Sequence, residues 1–248
     1  MSGHNKWSSI KHKKAIKDAQ KANLFTKYAR LIEVAARQGG DPETNFALRL
    51  AIDKARSVNM PKNNIERAIK RGTGEDKSGA VLEEVTYEAY GPGQISMLIQ
   101  CITDNKNRTL TEVKTILKKN KGKFVESGGV SWQFEQKGLI LLADIPTDQR
   151  EELEMAIIES GADDYEFLDG NKVAIYTPFN ELKEITERLQ KNLSNAGLPG
   201  KAQESKVIFH PKEKATVAEE IKNDFYALKS LLEENDDVSV IWHNLREK

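Results

Sequence analysis

The stretch G72-T-G-E-D-K-S-G-A divides the sequence in two, because apolar residues are spaced differently on its two sides. Before it, they recur every three or four positions, which is typical of amphipathic helices. After it, short runs such as V85-T-Y-E-A-Y and I95-S-M-L-I-Q-C-I are typical of β-strands. The stretch itself has three glycines and a serine among charged residues, which indicates a linker. We therefore predict a helical domain over residues 1–76, called the head, followed by α/β structure.

The sequence pattern of the head predicts a bundle of three or four helices. Asp41 is the predicted cap of the second helix, with Pro42 in its first turn. Pro61 and Gly72 mark the predicted start and end of the last helix. The last two helices and the S57-V-N-M-P turn between them resemble a helix-turn-helix, although a bundle helix with a solvated polar face explains the same pattern.

The sequence pattern of residues 77–137 predicts two strands, a helix and a third strand, in the order β-β-α-β. The two strand-like runs named above are joined by G91-P-G-Q, a hairpin signal. T109-L-T-E matches a capping box and predicts the start of a helix. V130-S-W-Q-F is the predicted third strand.

Residues 138–206 predict the order β-α-β-β-α-β of a ferredoxin-like domain, with its first strand at L139-I-L-L-A. Farther along the chain, a helix is predicted over residues 217–234, and a strand is predicted at V238-S-V-I-W. A lone helix and strand has little to pack against, so we expect this tail to complete the preceding sheet rather than form a separate appendage. The predicted fold is α+β and multidomain, an N-terminal helical bundle followed by two α/β sandwich (ferredoxin-like) domains, one inserted in the other. The predicted domains are 1–76, 77–137 plus 207–248, and the inserted 138–206.

The formal net charge of zero conceals a division of charge along the chain. Residues 1–74 hold 16 Lys and Arg against 6 Asp and Glu, a net charge of +10. The remaining residues, the acidic body, hold 22 against 32, a net charge of −10. This asymmetry indicates a polyanionic partner for the head, and it is compatible with a protein partner for the acidic body.

The first 21 residues contain six lysines and one acidic residue. If this segment is helical, lysines cover most of its circumference and repel one another, and nucleic-acid phosphates would relieve that repulsion with release of counterions. Aromatic rings in the segment could stack on exposed bases. A solvated lysine-rich helix is the alternative. The predicted nucleic-acid-binding residues of this segment are Lys6, Trp7, Lys11, His12, Lys13, Lys14 and Lys17.

The last helix of the head predicts a second basic surface, made of Lys62, Arg67, Lys70 and Arg71. Its Asn63 and Arg67 are of the types that read adenine and guanine edges through paired hydrogen bonds. A third basic run, from Asn105 to Lys121, either extends this track or is a solvated helix. A membrane anchor is excluded, because the apolar stripe of the basic segment is thin and mostly alanine.

The sequence contains no recognised arrangement for catalysis. It has no G-x-x-x-x-G-K-S/T loop, no G-x-S-x-G elbow and no H-E-x-x-H, and its four histidines are too isolated for a metal site. The pairs Asp163–Asp164 and Asp236–Asp237 lie beside predicted turns and are expected to be solvated, and Cys101 is expected to be a buried hydrophobe. We expect a non-enzymatic cytoplasmic protein without cofactor, metal, membrane or small-molecule substrate.

Four motifs carry a family resemblance: S2-G-H-N-K-W-S-S-I-K-H-K-K, N59-M-P-K-N-N-I-E-R-A-I-K-R-G-T-G, Y87-E-A-Y-G-P-G and T103-D-N-K-N-R-T. In this order they resemble the YebC/PmpR family, which includes the mitochondrial translational activator of cytochrome c oxidase. The likeness runs from the first residue to about Phe134 in motif and to the end in layout. The family usually has glycine where this chain has Ala89 and Gln94.

The resemblance implies three domains and a non-enzymatic cytoplasmic regulator of gene expression. It implies a DNA-binding transcriptional regulator; for some members it implies instead a ribosome-associated translation factor that helps with difficult sequences such as proline runs. Lysines neutralise the phosphates of DNA and ribosomal RNA alike, so both targets stay open.

Overall fold

The computed structural model of the chain describes residues 21–78, 80–143, 149–199 and 202–246. These residues form two compact units. The first comprises residues up to Gly129 together with Thr216–His243, and the second comprises Val130–Ala215 together with the residues from Asn244 onward. In the described ranges, no helix has the length and apolar character needed to cross a membrane.

In its described residues, the first unit begins with three helices. In the described residues α1 covers 21–36, and it is followed by α2 (Phe46–Ser57) and α3 (Lys62–Gly72). Each helix turns an apolar face inward at helical spacing, as expected from the sequence. The shared core contains the buried side chains of Ile32, Leu48, Ile52, Ala55, Met60 and Ile65.

Asn45, rather than the predicted Asp41, caps α2. The side-chain oxygen of Asn45 accepts a hydrogen bond from the backbone N–H of Leu48 at 3.1 Å. Its amide nitrogen donates to the carbonyl oxygens of Ala35 and Gly39, both at 2.8 Å. A carboxylate could cap the helix but could not donate, so an asparagine suits a position that also ties down the end of α1.

Gly72 lies where α3 approaches α1 closely. A Cβ atom added to Gly72 would lie 2.2 Å from the carbonyl oxygen of Glu33 and 2.6 Å from the Cβ of Ala36. The φ of Gly72 is outside the left-handed region. α3 ends at Gly72 as predicted, but helix packing, rather than left-handed backbone at a helix end, requires the glycine.

The first unit also contains an antiparallel sheet of four strands. The strands are β1 (Glu83–Tyr90), β2 (Ser96–Thr103), β3 (Lys123–Val125) and β8 (Val238–His243), and the order across the sheet is β3-β1-β2-β8. Its helices are α4 (Lys106–Lys119) and α7 (Glu219–Glu233). The central β2 is buried along almost its whole length. Its second neighbour is β8, which comes from the C-terminal tail.

The predicted start of α4 is wrong. The helix begins at Lys106, and its cap is Asn105, whose side chain accepts a hydrogen bond from the backbone N–H of Arg108 at 3.1 Å. Thr109, the predicted cap, lies inside the helix and is fully buried. The capping signal of Asn105 lies within a lysine- and asparagine-rich run, which hides it from the capping-box pattern.

The predicted strand at residues 130–134 is also wrong. Residues 131–133 form a 3-10 turn, and the third strand of the sheet is β3. Lys121 has a φ of 59°, and with Gly122 it reverses the chain directly after α4. β3 therefore reaches the open edge of β1 earlier in the chain than the apolar pattern indicates.

The second unit contains β4 (Phe134–Leu142), α5 (Arg150–Ser160), β5 (Asp164–Leu168), β6 (Lys172–Pro178), α6 (Leu182–Asn195) and β7 (Ala202–Pro211). This is the predicted element order, and β4 begins before the predicted Leu139. The strands form an antiparallel sheet in the order β5-β6-β4-β7. The α+β multidomain prediction is thus confirmed. The ferredoxin-like label, the three-domain boundaries and the insertion stay predictions.

Candidate nucleic-acid interface

Seven of the eleven predicted binding residues lie outside the described part of the chain. They are Lys6, Trp7, Lys11, His12, Lys13, Lys14 and Lys17. Their role stays a prediction. The other four, Lys62, Arg67, Lys70 and Arg71, lie on α3 and are exposed.

The α3 surface, defined as Lys62, Asn63, Arg67, Lys70 and Arg71, follows from the amphipathic pattern of this helix. Ile65 and Ala68 are buried against the core, so these five side chains project on the solvated side. The structure therefore brings the four predicted cations of this helix onto one surface.

Two of these four cations form ion pairs with acidic side chains. Lys62 Nζ lies 3.5 Å from Glu66 Oε1, and Arg71 Nε lies 3.6 Å from Asp76 Oδ2. Exposed pairs of this kind contribute about 0–1 kcal/mol, so a phosphate could replace either carboxylate. Within the described residues, the side chains of Arg67 and Lys70 make no ion pair. With respect to the described part of the chain, these two side chains are available to an anion.

A cleft of about 200 Å³ lies between α1 and α3, next to the α3 surface. It is lined by Phe25, Thr26, Ala29 and Glu33 of α1, by Met60, and by Asn64, Arg67, Ala68 and Arg71 of α3. The lining combines apolar side chains with one hydroxyl, one carboxylate, one amide and two guanidinium groups. Sequence reasoning missed this cleft, since it depends on how closely α1 and α3 approach.

Glu33 is the acidic group of the cleft. Burial raises the pKa of Glu33 above its ordinary value, and the nearby guanidinium groups of Arg71 and Arg37 oppose part of that rise. The half-buried carboxylate is therefore a hydrogen-bond acceptor in a partly desolvated setting, where such bonds are stronger than in water.

The third basic run on α4 uses several of its cations within the first unit. Lys106 Nζ lies 2.5 Å from Glu83 Oε2, and Lys121 Nζ lies 2.6 Å from Asp224 Oδ2. Lys114 Nζ lies 4.2 Å from the centre of the Phe124 ring. These contacts occupy three cations of the run, two of them in exposed ion pairs of the kind found on α3. Extension of the basic track onto α4 therefore stays a prediction.

Asp237 is the centre of a buried polar cluster that links four segments of the first unit. Its side chain is only 4% exposed. Its carboxylate accepts hydrogen bonds from Arg30 Nη1 at 2.6 Å, Thr109 Oγ1 at 2.6 Å and Arg108 Nη2 at 2.7 Å. Thr103 Oγ1 donates at 3.2 Å. The T103-D-N-K-N-R-T motif thus supplies three of the four donors, which gives that motif a structural role.

The prediction that the Asp236–Asp237 pair is solvated is wrong for Asp237. Burial alone would raise the pKa of Asp237, but hydrogen bonds from Arg108, Thr109 and Arg30 hold it below its ordinary value. The carboxylate is therefore ionised and fully partnered, as a buried charge must be. In the sequence, the spacing of Thr and Arg in the T103-D-N-K-N-R-T motif is the one sign of this cluster. That spacing does not identify Asp237 as the acidic partner.

Metal-ligating side chains and Cys101 are the remaining candidate chemical groups. Among the described residues, no three His, Cys, Asp or Glu side chains are grouped to hold a metal ion. Cys101 is buried, as predicted, and burial raises the pKa of its thiol to about 12. A thiol with that pKa is almost wholly protonated at neutral pH and is a poor nucleophile.

Two family models together match almost the whole chain. The model described as the TACO1/YebC protein N-terminal domain matches residues 5–75, and the model described as the TACO1/YebC second and third domain matches residues 82–245. The chain belongs to the TACO1/YebC family. The resemblance stated from the four motifs is therefore confirmed. The boundary between the two matches falls within the glycine-rich linker.

Curated relatives in the TACO1/YebC family match over nearly their full length. A protein of Fervidobacterium nodosum is 44% identical over 98% of this chain and 93% of its own, and one of Acidithiobacillus ferrooxidans is 46% identical over 98% and 94%. Both are named "Probable transcriptional regulatory protein". Among solved structures, a conserved hypothetical protein, Aq1575 from Aquifex aeolicus, is similar with a TM-score of 0.77 and 39% identity, over 92% of this chain and 91% of that one.

Proposed function

We propose that this chain is a non-enzymatic regulator of gene expression that binds nucleic acid through its basic head. The form proposed is a DNA-binding transcriptional regulator, in keeping with the names of its relatives. The observation that carries the proposal is the α3 surface, where Arg67 and Lys70 are exposed and have no acidic partner within the described residues.

The distribution of charge supports a head-first mode of binding. Phosphates bind to the +10 head with release of counterions, whereas the −10 body repels a polyanion. The proposed contacts are the lysines at positions 6 to 17, with Trp7 and His12 beside them, and the α3 surface. The body is left free for a different partner, such as a protein.

Salt dependence of binding to duplex DNA tests the proposal. If about five phosphates are neutralised, the slope of log affinity against log salt is about −4 to −5. Deletion of residues 1–21 should remove most of the affinity and make the slope shallower. A truncated chain that binds as tightly as the full chain would contradict the assignment of the basic segment.

The target is tested by crosslinking the full chain to nucleic acid in living cells and sequencing what it retains. Discrete promoter DNA is the expected result. Ribosomal RNA attached to the head would mean that the chain regulates translation rather than transcription. No nucleic acid above background would overturn the proposed function.

A further inference from the structure

The cleft between α1 and α3 combines apolar side chains with polar ones in about equal share. Phe25, Ala29 and Met60 provide carbon surface, and Phe25 provides an aromatic ring. In the described part of the chain, the side chains of Asn64 and Arg67 make no hydrogen bond or ion pair, although both line the cleft. A concave apolar site with a few convergent polar groups is the usual form of a ligand pocket.

We propose that this cleft binds one unpaired guanine base of a nucleic acid. The inference rests on the proposed function, and it names the base that the head would hold. The same chemistry applies to an unpaired guanine in DNA or in RNA, because the recognised groups belong to the base.

The carboxylate of Glu33 favours guanine over the other bases. The Watson–Crick edge of guanine presents two adjacent N–H donors, which can pair with the two oxygens of one carboxylate. Cytosine and uracil each present one such donor, and adenine presents an acceptor beside its donor. In a partly buried site the paired arrangement is favoured, because an unmatched polar group loses its contact with water.

The remaining groups of the cleft fit the rest of a nucleotide. Arg67 and Arg71 lie one turn apart on α3, at the side of the cleft that continues into the α3 surface, and both can bind phosphate. Lys21 Nζ lies over one face of the Phe25 ring, 5.5 Å from its centre, and adds a further cation near the cleft. The cleft is smaller than the ~300–1,000 Å³ of common ligand pockets, so it suits a base with its phosphates outside.

The cleft differs from the α3 surface in what it recognises. Cations on the surface bind any phosphate chain, whereas the carboxylate of Glu33 repels phosphate and selects a base edge. Affinity and base preference are therefore separable by mutation: loss of Arg67 should weaken binding to all sequences, and loss of the Glu33 charge should remove the preference for guanine.

The test compares two labelled RNA dodecamers, one of uridines only and one with a single central guanine. Affinities are measured by fluorescence anisotropy with the full chain. The guanine is expected to tighten binding about tenfold, as for a good bidentate contact to a base. Glu33→Gln should abolish the difference, because its amide nitrogen would meet the donors of guanine. Glu43→Gln, the same change at an exposed position before α2, should preserve it.

Each outcome decides a separate question. If both dodecamers bind equally to the unmodified chain, the guanine site is wrong and the proposed function stands. If neither binds, and duplex DNA does not bind, the proposed function itself fails. If free guanosine monophosphate displaces the guanine dodecamer at the dodecamer's own dissociation constant, the ligand is a free nucleotide and the proposal is overturned. Asn64→Ala is the second variant, expected to reduce the preference should Glu33→Gln fail to fold.

Discussion

Arg30 Nη1 lies 2.6 Å from Asp237 Oδ1, and this buried ion pair joins α1 to the segment that precedes β8. The same nitrogen lies 2.6 Å from the carbonyl oxygen of Asp236. Arg108 Nη2 approaches the second carboxylate oxygen of Asp237 at 2.7 Å. A single carboxylate therefore fixes the head helix, the start of α4 and the last strand in one arrangement.

We expect Asp237→Asn to destabilise the chain by about 1–3 kcal/mol, because the partly exposed Arg30 and Arg108 lose the charge of their common partner. Asp236→Asn is the matched control, since that side chain is exposed and only its backbone oxygen takes part in the cluster. Free energies of unfolding from urea titration measure both. Equal effects of the two changes would show that the carboxylate of Asp237 has no special role.

The lowered pKa of Asp237 predicts a loss of stability in acid. A carboxyl group whose pKa is lower in the folded chain than in the unfolded chain stabilises the fold fully above its unfolded value, which is about 3.8. That contribution is lost as pH falls from about 4 through the folded pKa. Unfolding free energies from pH 7 to pH 3 should therefore decline more steeply in the unmodified chain than in Asp237→Asn. Parallel curves would contradict this explanation.

Gly72→Ala is expected to lower the free energy of unfolding by about 1–3 kcal/mol. Alanine is favoured over glycine in a helix by about 1 kcal/mol, but its Cβ would overlap the carbonyl oxygen of Glu33 and force α1 and α3 apart. Ala47→Gly, at an exposed position of α2, measures the propensity difference alone. A stabilising effect of Gly72→Ala would mean that the two helices separate without cost.

The hairpin tip between β1 and β2 contains a strained residue. Gln94 has a φ of 60°, beside Gly93 at 70°. Left-handed backbone costs a non-glycine residue about 1–2 kcal/mol, so Gln94→Gly should stabilise the chain by roughly 0.5–1 kcal/mol after the entropy of glycine is included. Gly93→Ala should have the opposite sign, because its Cβ would lie 2.6 Å from Ile221 Cγ2. Thermal unfolding of both variants measures this, and stabilisation by Gly93→Ala would contradict it.

Elements defined by local pattern could be predicted from the sequence. The amphipathic helices of the head, the β1–β2 hairpin and the element order of the second unit all follow from periodicity and turn residues. The core position of Cys101 follows from its apolar neighbours. The exposure of Arg67 and Lys70 follows in the same way, since Ile65 and Ala68 define the buried face of α3.

Features that depend on distant contacts could not be predicted. Asp237 looks like any carboxylate beside a turn until Arg30 and Arg108 are brought to it from elsewhere in the chain. The cleft beside Glu33 depends on the distance between α1 and α3, and periodicity contains no information about that distance. The role of Asn45 depends on its two amide hydrogen bonds to the carbonyl oxygens of Ala35 and Gly39, which the local capping pattern does not contain.

The paired variant Arg67→Ala and Lys70→Ala tests the α3 surface directly. If each side chain binds one phosphate, the slope of log affinity against log salt should become shallower by about 2, and affinity should fall by a similar factor for every DNA sequence. The control removes Lys183 and Lys191 of α6, two exposed charges in the second unit, and should leave the slope unchanged. Equal slopes in the two variants would mean that α3 does not contact phosphate, and the candidate interface would then consist of the basic segment alone.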